Sequence, residues 1–223
     1  MHFSASFKDW LVLNGNQLSV PSEYSDPQDF SEFPPRFAIQ QNEQEIMELV
    51  AVFQKNNCQN ILEIGLGYYG STHILFREYF KTVTTVEISL ERARSFHEKA
   101  SLHFGSEFFS EKRSMFLIAD SNSPDAAKKL IQALDSLSFP SFDALFIDGL
   151  HTYESVMLDF LIYSHFVKKS GIIAFHDILN PIENSGSPRF ISDLRSGKVP
   201  SSLSNYSEIL HSKSLGIAYF TKD

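Results

Sequence analysis

Apolar and polar positions follow two different periods along this chain. Short apolar runs predict buried strands over residues 60–64, 82–87, 114–118, 142–147 and 172–176. The longer amphipathic stretches between them predict helices over residues 71–80, 90–104, 124–134 and 153–167. Strands that alternate with helices in this way are typical of a doubly wound, Rossmann-like α/β sheet, mostly parallel, with helices on both faces.

The segment before the first strand has a different pattern. The spacing of Ile46, Leu49, Val50 and Phe53 predicts an amphipathic helix from about residue 40 to about residue 56. Residues 1–36 are interrupted by prolines and predict an N-terminal arm or lid, followed by one domain over residues 37–223. Within the arm, the pair Asn14-Gly15 favours a small hairpin between residues 10–13 and 18–20.

After the fifth strand, Asn, Ser, Gly and Pro residues predict a long connection over residues 179–204. Two apolar segments follow it, residues 205–210 and 216–220, on either side of a short polar link. Two such segments predict an antiparallel strand pair at the end of the chain.

Length, composition and charge restrict the function further. A chain of 223 residues with 43% hydrophobic content is sufficient for the core of one α/β domain. Its net charge of −8 repels phosphate backbones, so we expect a small-molecule or protein partner and no nucleic acid. The sequence shows neither a membrane span nor a signal peptide, which favours a cytoplasmic protein. Cys58, the single cysteine, precedes an apolar strand and is expected to be a small packed side chain.

A glycine-rich loop follows the first strand. Gly65, Gly67 and Gly70 form a G-x-G-x-x-G pattern, which holds a nucleoside-bearing cofactor at the mouth of a parallel sheet. Gly65 permits the tight turn, Gly67 a close approach of the ligand, and Gly70 the packing of the next helix. The loop lacks the Gly-Lys-Ser/Thr ending of a P-loop, so nucleotide hydrolysis is not expected.

Polar residues recur where the predicted strands end: Glu63, Glu87, Asp120, Asp148, His176 and Asp177. Ligands of doubly wound sheets bind outside the carboxyl ends of the strands, where these side chains would meet. Glu87 is placed to accept hydrogen bonds from both ribose hydroxyls, and Asp120 to receive an adenine amino group. Any one of these acids alone could merely cap the next helix, but their recurrence at one edge favours a ligand site.

At these residues the chain resembles the class I S-adenosylmethionine-dependent methyltransferases. The segment from Glu63 to Gly67 is similar to their first motif, Glu87 to their ribose acid, and Asp120 to their adenine-side acid. The segments 146–154 and 169–177 are similar to a group of small-molecule O-methyltransferases that includes macrocin O-methyltransferase-like and cephalosporin-hydroxylase-like proteins. The resemblance covers about residues 40–195.

The resemblance implies methyl transfer from S-adenosyl-L-methionine to a small-molecule hydroxyl, and a seven-stranded sheet whose last strand is antiparallel. It implies a cofactor site formed by Glu63, Gly65, Gly67, Tyr68, Gly70, Ser71, Glu87, Ile88, Asp120, Ser121 and Asp148. An NAD-dependent oxidoreductase would share the glycine loop and Glu87 but would lack the antiparallel last strand. A non-catalytic cofactor-binding scaffold is a third hypothesis, disfavoured by the polar groups that converge at one edge.

His151 and Asp148 are the candidate catalytic residues. His151 follows Asp148 by three positions, so it could take the hydroxyl proton while Asp148 orients it or holds a metal. The structural alternative for His151 is a cap on the helix that starts at Thr152. The arm residues Phe30, Phe33 and Phe37 could close an apolar lid over the site, and the arm could also pack across a homodimer.

A divalent metal is a further hypothesis. Related metal-dependent members carry two acids after the fifth strand, whereas this chain has His176-Asp177. Asp148, His176 and Asp177 could hold Mg²⁺, or softer ions such as Mn²⁺, Fe²⁺ or Zn²⁺ because of the imidazole. Alternatively, His176 donates to a backbone carbonyl and Asp177 caps a turn. The sequence does not indicate which acceptor is methylated.

Overall fold

A computed structural model of the chain describes residues 4–13, 42–67, 70–109, 113–135, 141–180, 185–211 and 214–223. Its strands are β1 (Asn60–Ile64), β2 (Thr82–Glu87), β3 (Ser114–Ile118), β4 (Phe142–Ile147), β5 (Val167–Phe175), β6 (Leu203–Ile209) and β7 (Ile217–Lys222). Its α-helices are α1 (Ala5–Leu13), α2 (Glu43–Lys55), α3 (Ser71–Tyr79), α4 (Leu90–Phe104), α5 (Pro124–Leu134), α6 (Tyr153–Tyr163) and α7 (Ser187–Arg195).

The strands form one sheet in the order β3-β2-β1-β4-β5-β7-β6. Strands β1 to β5 pair in parallel, and β7 runs antiparallel to both β5 and β6. The order of the strands reverses between β1 and β4, which are parallel neighbours although β2 and β3 come between them in sequence. The predicted fold class, including the antiparallel last strand, is confirmed.

Two cores lie on the two faces of the sheet. Along β1, Ile61 packs with residues of α1 to α4, while Leu62 and Ile64 pack with residues of α5 to α7. Side chains of a strand point alternately to opposite faces, so this strand, buried on both sides, has the continuous apolar character of a parallel strand. The same alternation places Glu63 on the face of α1 to α4.

Strand β5 differs from its predicted start. The strand begins at Val167, before the predicted residue 172, and α6 ends at Tyr163. The polar residues Lys168, Lys169 and Ser170 concealed this part of the strand, and Ser170 has a positive φ of 63°. The pairing of β4 with β5 has a register irregularity in the same region, between Phe142 and Ala144.

The predicted hairpin near the N-terminus is wrong, because residues 5–13 form helix α1. Phe7 and Trp10 lie one helical turn apart, and both are buried. Trp10 packs on Phe104, at the C-terminal end of α4, with ring centroids 5.6 Å apart. Since α4 starts where β2 ends, its C-terminal end, and therefore α1, lies towards the opposite edge of the sheet.

The rest of the predicted arm, with residues 18–20 and the lid candidates Phe30, Phe33 and Phe37, lies outside the described residues. Cys58 is buried as expected, and burial raises the pKa of its thiol to about 12. None of the described helices is long and apolar enough to cross a membrane.

Candidate active site

The ends of the five parallel strands, β1 to β5, form one continuous edge. The backbone N–H of Gly65 donates to the carbonyl of Val86 at 2.9 Å, and that of Asp148 donates to Ile64 at 3.0 Å. Further bonds of the same kind run from His176 to Ile147 at 3.1 Å and from Ala119 to Glu87 at 3.0 Å. Strand pairing therefore continues one residue beyond the strands and aligns the positions that the sequence singled out.

The glycine loop is shaped by close packing on both sides. Gly65 has a φ of +94°, and a Cβ atom there would lie 2.3 Å from the carbonyl oxygen of Asp148. A Cβ on Gly70 would lie 2.6 Å from the ring of Phe96. By contrast, nothing described lies within 4 Å of a Cβ placed on Gly67, so this position is open to a ligand. Tyr68, another predicted cofactor residue, lies outside the described residues.

Glu87 joins this loop to the start of α4. One carboxylate oxygen, Oε2, accepts the N–H of Leu66 at 3.1 Å, and the other, Oε1, accepts the N–H of Ser89 at 2.7 Å. Arg92 Nη2 lies 3.2 Å from Oε1. A carboxylate has about four acceptor positions, so these three contacts leave capacity for a ligand hydroxyl. Ile88, the next residue, is 61% exposed and offers an apolar surface beside the carboxylate.

Glu63 stands at the end of a buried chain of hydrogen bonds. The hydroxyl of Thr85 donates to Glu63 Oε2 at 2.5 Å, and His73 Nδ1 lies 2.8 Å from that hydroxyl oxygen. His73 Nε2 lies 3.0 Å from Ser114 Oγ, which accepts Arg77 Nε–H at 2.7 Å. The directions are consistent with a neutral His73 that carries its proton on Nδ1, and burial holds its pKa well below the ordinary value.

The second oxygen of Glu63, Oε1, is buried and has no hydrogen-bond partner among the described residues. Burial raises the pKa of this carboxyl to about 8, and the nearby charges of Asp148 and Glu87 act in the same direction. The group is therefore neutral at pH 7, so it could donate a proton from Oε1. An orphaned polar atom at the end of β1, where the glycine loop begins, suits the polar groups of a bound cofactor.

The loop after β3 contains the predicted adenine-side residues. Asp120 is exposed, and its Oδ1 accepts the N–H of Asn122 at 3.0 Å. The side chain of Ser123 caps α5, as an N-cap serine commonly does. The carbonyl of Ser121 accepts the hydroxyl of Tyr163 on α6 at 3.0 Å. The cap of α5 is therefore Ser123 and not the acid Asp120, whose carboxylate is exposed at the end of β3.

His176 lies among three carboxylates. Its Nδ1 is 3.1 Å from Asp148 Oδ1 and 2.8 Å from Asp177 Oδ1, and its Nε2 is 3.2 Å from Glu45 Oε1. Burial alone would lower the pKa of this imidazole, but Asp148 and Asp177 raise it well above the ordinary value. His176 is therefore an imidazolium, bonded to carboxylates rather than to the backbone carbonyl considered above.

Glu45 was missed by sequence reasoning. It is buried on α2, and its Oε2 accepts the N–H of Gly216 at the start of β7 at 2.9 Å. Its signal was an acidic residue on the apolar face of a predicted helix, beside Ile46 and one turn before Leu49. A buried carboxylate requires a partner, and His176 supplies it.

His151 pairs with Asp177. Their Nε2 and Oδ2 atoms are 3.3 Å apart, and the side chain of His151 is 26% exposed. Burial alone would raise the pKa of Asp177, but His176 and His151 lower it to about 2, so this residue is a carboxylate. Sequence analysis proposed that Asp148 orients His151 or holds a metal, whereas the carboxylate found against the ring of His151 is that of Asp177. Helix α6 is capped by the side chain of Thr152, so His151 is not needed as the cap.

Two further contacts fix this pair. Asp177 adopts a left-handed backbone with a φ of +61°, and Asn180 Nδ2 donates to its Oδ2 at 3.1 Å. A positive φ is uncommon for a residue other than glycine. The carbonyl of His151 accepts the N–H of Gly186, just before α7, at 2.7 Å. The backbone that carries the partly exposed imidazole of His151 is thus held by a hydrogen bond to the start of α7.

The three predicted metal ligands, Asp148, His176 and Asp177, are neighbours in the structure. Their contacts are ion pairs in which the imidazole nitrogen lies between the two carboxylates. Over the described parts of the chain, no group of three or more His, Cys, Asp or Glu side chains is placed to hold a metal ion. The donor types suit a divalent cation, but the observed arrangement gives that central position to the protonated ring.

Comparisons with known proteins identify the family of the chain. A family model described as a methyltransferase domain matches residues 62–178. A comparison with curated protein sequences gives no match.

Three solved structures show related folds. An O-methyltransferase from Bacillus cereus in complex with SAH is 16% identical, with a TM-score of 0.64, over 99% of this chain and 92% of that chain. The O-methyltransferase TomG from Streptomyces achromogenes, involved in tomaymycin synthesis and in complex with SAM, is 13% identical, with a TM-score of 0.65, over 99% and 90%. MycE from the mycinamycin biosynthetic pathway, in complex with Mg, SAH and mycinamycin VI, is 18% identical, with a TM-score of 0.54, over 79% and 48%.

Proposed function

The chain belongs to the methyltransferase-domain family, and from this premise we propose that it transfers a methyl group from S-adenosyl-L-methionine to a hydroxyl group of a small molecule. The observation that carries the proposal is the pair formed by His151 and Asp177, at the same sheet edge as the glycine loop and Glu87. A partly exposed imidazole against a buried carboxylate is a general base that is held in one orientation.

The cofactor would be held along this edge. Glu87 would accept the ribose hydroxyls, Asp120 and Ser121 would face the adenine, and Ile88 would supply an apolar surface for the ring. Gly65 and Gly67 would bring the backbone close to the ligand, with Gly70 and Ser71 at the start of α3. Glu63, with its unpartnered oxygen, and Asp148 would complete the site.

The reaction needs few groups from the protein. When bound, S-adenosyl-L-methionine supplies a methyl group that is electrophilic without further activation. His151 removes the proton from the acceptor hydroxyl, and the anionic Asp177 stabilises the imidazolium that results. The protonated His176 offsets part of the negative charge of Asp177 and Asp148.

Metal assistance is a second proposal on the same residues. It is supported by the donor types of Asp148, His176 and Asp177, and MycE, a structural neighbour, was solved with Mg. An ion there would have to displace the imidazole from its position between the carboxylates; when bound, it would lower the pKa of the acceptor hydroxyl. Titration of the chelator-treated protein with Mn²⁺ tests this, with heat expected for the wild type and lost in Asp177→Ala.

Calorimetric titration of the chelator-treated protein with S-adenosylhomocysteine and, separately, with NAD⁺ tests the proposed function. We expect micromolar binding of S-adenosylhomocysteine and none of NAD⁺. The variant His151→Ala should bind S-adenosylhomocysteine like the wild type, and should lose turnover with any phenol, sugar or macrolide hydroxyl on which the wild type is active. Binding of NAD⁺ alone would replace the proposal with an oxidoreductase, and silence with both ligands would favour a scaffold.

A further inference from the structure

A carboxyl group of α6 lies beneath the loop that joins β3 to α5. Asp159 is fully buried, and its Oδ1 accepts Asn122 Nδ2–H from that loop at 2.8 Å. The same amide nitrogen lies 3.3 Å from the carbonyl oxygen of Ser155. Tyr163, one helical turn after Asp159, donates its hydroxyl to the carbonyl of Ser121 at 3.0 Å. One face of α6 therefore holds the loop at two points.

The second oxygen of Asp159 faces another loop. This atom, Oδ2, is buried and has no hydrogen-bond partner among the described residues. A Cβ placed on Gly149, in the loop after β4, would lie 3.2 Å from it. Burial raises the pKa of Asp159 to about 7, the nearby polar side chains of Ser121 and Asn122 oppose that shift, and Asp120 adds to it. The carboxyl thus lies between the adenine-side loop and the loop that leads to His151.

The carboxylate of Asp120 does not by itself fix the position of the adenine-side loop, residues 119–123. Asp120 is exposed, and its carboxylate bonds within the loop, to the N–H of Asn122. Such a bond shapes the turn but does not fix the turn relative to the sheet. The bonds to α6 do so, because α6 packs against β4 through buried residues such as Val156 and Phe160.

We propose that Asp159 is a positioning residue for the cofactor. Through Asn122 it holds the loop of Asp120 and Ser121 in the position from which these two residues contact the adenine ring. This role rests on the proposed function, since it assigns these two residues to adenine. Asp159 does not touch the cofactor in this assignment, because its side chain is buried and acts through the amide of Asn122.

The first test is calorimetry with S-adenosylhomocysteine on Asp159→Ala and Asp159→Asn. The alanine variant should bind about tenfold more weakly, since one buried hydrogen bond that holds the loop is lost. The asparagine variant should bind within about twofold of the wild type, because its amide oxygen still accepts from Asn122. Asp193→Ala is the matched control: Asp193 is a bonded carboxylate on α7 that accepts from Tyr153 and Lys198, and its loss should leave affinity unchanged.

A second test distinguishes loop positioning from general loosening. S-inosylhomocysteine carries an oxygen in place of the adenine amino group, so it cannot use Asp120 as an acceptor for that group. Its affinity should fall less than about threefold in Asp159→Ala, while that of S-adenosylhomocysteine falls about tenfold. Equal losses for the two ligands would overturn the proposal.

The loop side of the bond gives an independent measurement. Asn122→Ala should weaken S-adenosylhomocysteine binding as much as Asp159→Ala does, and the double variant should be no weaker than either single one. Additive losses would overturn the proposal, as would wild-type affinity in Asp159→Ala. If Asp159→Ala does not fold, Asn122→Ala and Asp159→Asn decide: a tenfold loss in the first with retention in the second supports the role, and any other pattern overturns it. A wild type that fails to bind S-adenosylhomocysteine would instead refute the proposed function.

Discussion

Four buried acids of the candidate site have the same carboxyl chemistry and different partners. Glu63 and Asp159 each have an unpartnered buried oxygen, and their pKa values are raised to about 8 and about 7. Asp177 is equally buried, but two histidines hold its pKa at about 2. Glu87 spends its acceptors on two backbone N–H groups and an arginine. Burial and the partners of each carboxyl, and not the residue type, set the pKa values of Glu63, Asp159 and Asp177.

We expect the charge of Asp177 to matter for the rate of methyl transfer and not for cofactor binding. Asp177→Asn keeps the shape of the side chain but removes the charge that stabilises a protonated His151. We expect the turnover number to fall by about a hundredfold or more, because that is the range of general-base catalysis. The dissociation constant of S-adenosylhomocysteine should stay within about threefold. Steady-state kinetics and calorimetry measure the two quantities, with Asp193→Asn as the control. An unchanged turnover number would remove Asp177 from the mechanism.

Glu87 should show the opposite behaviour. Glu87→Gln leaves one acceptor oxygen for two backbone N–H groups, at Leu66 and Ser89, and for the ribose. We expect binding of S-adenosylhomocysteine to weaken by about tenfold or more, since hydrogen bonds to a charged acceptor are the stronger kind. Calorimetry measures the change, and Glu91→Gln, on the first turn of α4, serves as the control. Wild-type affinity in Glu87→Gln would mean that the ribose lies elsewhere.

At the scale of elements, the hydrophobic pattern was sufficient for the central strands and most helices. Strands β1 to β4 have the predicted bounds. Strands β1 and β4, which are buried at nearly every position, are largely apolar runs, as expected for strands covered on both faces. Two elements were mistaken. The start of β5 is polar on one side, and the pair Asn14-Gly15 suggested a hairpin strand over residues 10–13, although Phe7 and Trp10 repeat with the spacing of helix α1. The burial of Phe7 and Trp10, which depends on the rest of the fold, favours the helix over that strand.

Helix α1 should contribute to stability and not to ligand binding. Trp10 is buried against Phe96 and Phe104, so Trp10→Ala should reduce the free energy of unfolding by about 3–5 kcal/mol. Urea denaturation followed by circular dichroism measures this. Affinity for S-adenosylhomocysteine should be unchanged at a temperature where the variant is folded, since α1 packs on Phe96 and Phe104 of α4 and supplies none of the residues assigned to the cofactor. Lys8→Ala, on the same helix, provides the control. A tenfold loss of affinity in Trp10→Ala would show that α1 takes part in the site.

At the scale of the whole molecule, the sheet order brings distant residues to one edge. Glu45, His176 and Gly216 belong to α2, to the end of β5 and to the start of β7, and they meet in one hydrogen-bonded group. The same edge holds Glu63 and Glu87 from β1 and β2. Several buried ionisable groups in one place make the stability of the molecule depend on pH.

The sign of that dependence follows from the raised pKa values. Between pH 6 and 8.5 the unfolded chain has ionised carboxyls, whereas folded Glu63 and Asp159 hold their protons until pH exceeds about 8 and about 7. The folded state binds more protons in this window, so its stability falls as pH rises. His176, whose pKa is raised by its carboxylate neighbours, acts in the same direction. Asp177 is ionised in both states and adds no slope.

We therefore expect the wild type to melt at a lower temperature at pH 8.5 than at pH 6. In the double variant Glu63→Gln/Asp159→Asn, whose side chains cannot ionise, the decrease should be smaller by several degrees. Differential scanning calorimetry at both pH values measures this. Asp125→Asn, at a largely exposed carboxylate, should retain the wild-type slope. Equal slopes in the wild type and the double variant would show that neither acid is protonated in the fold.

The sequence by itself determined the alternation of strands and helices, the glycine loop and the row of acids at the strand ends, because each depends on local spacing and on strand polarity. Tertiary structure decided which acid pairs with which histidine. Asp177 contacts His151 because of a left-handed backbone after β5, and Glu45 reaches His176 from a helix far away in sequence. Charge states followed from those contacts, since burial and neighbouring charges set a pKa and neither can be read from the order of residues.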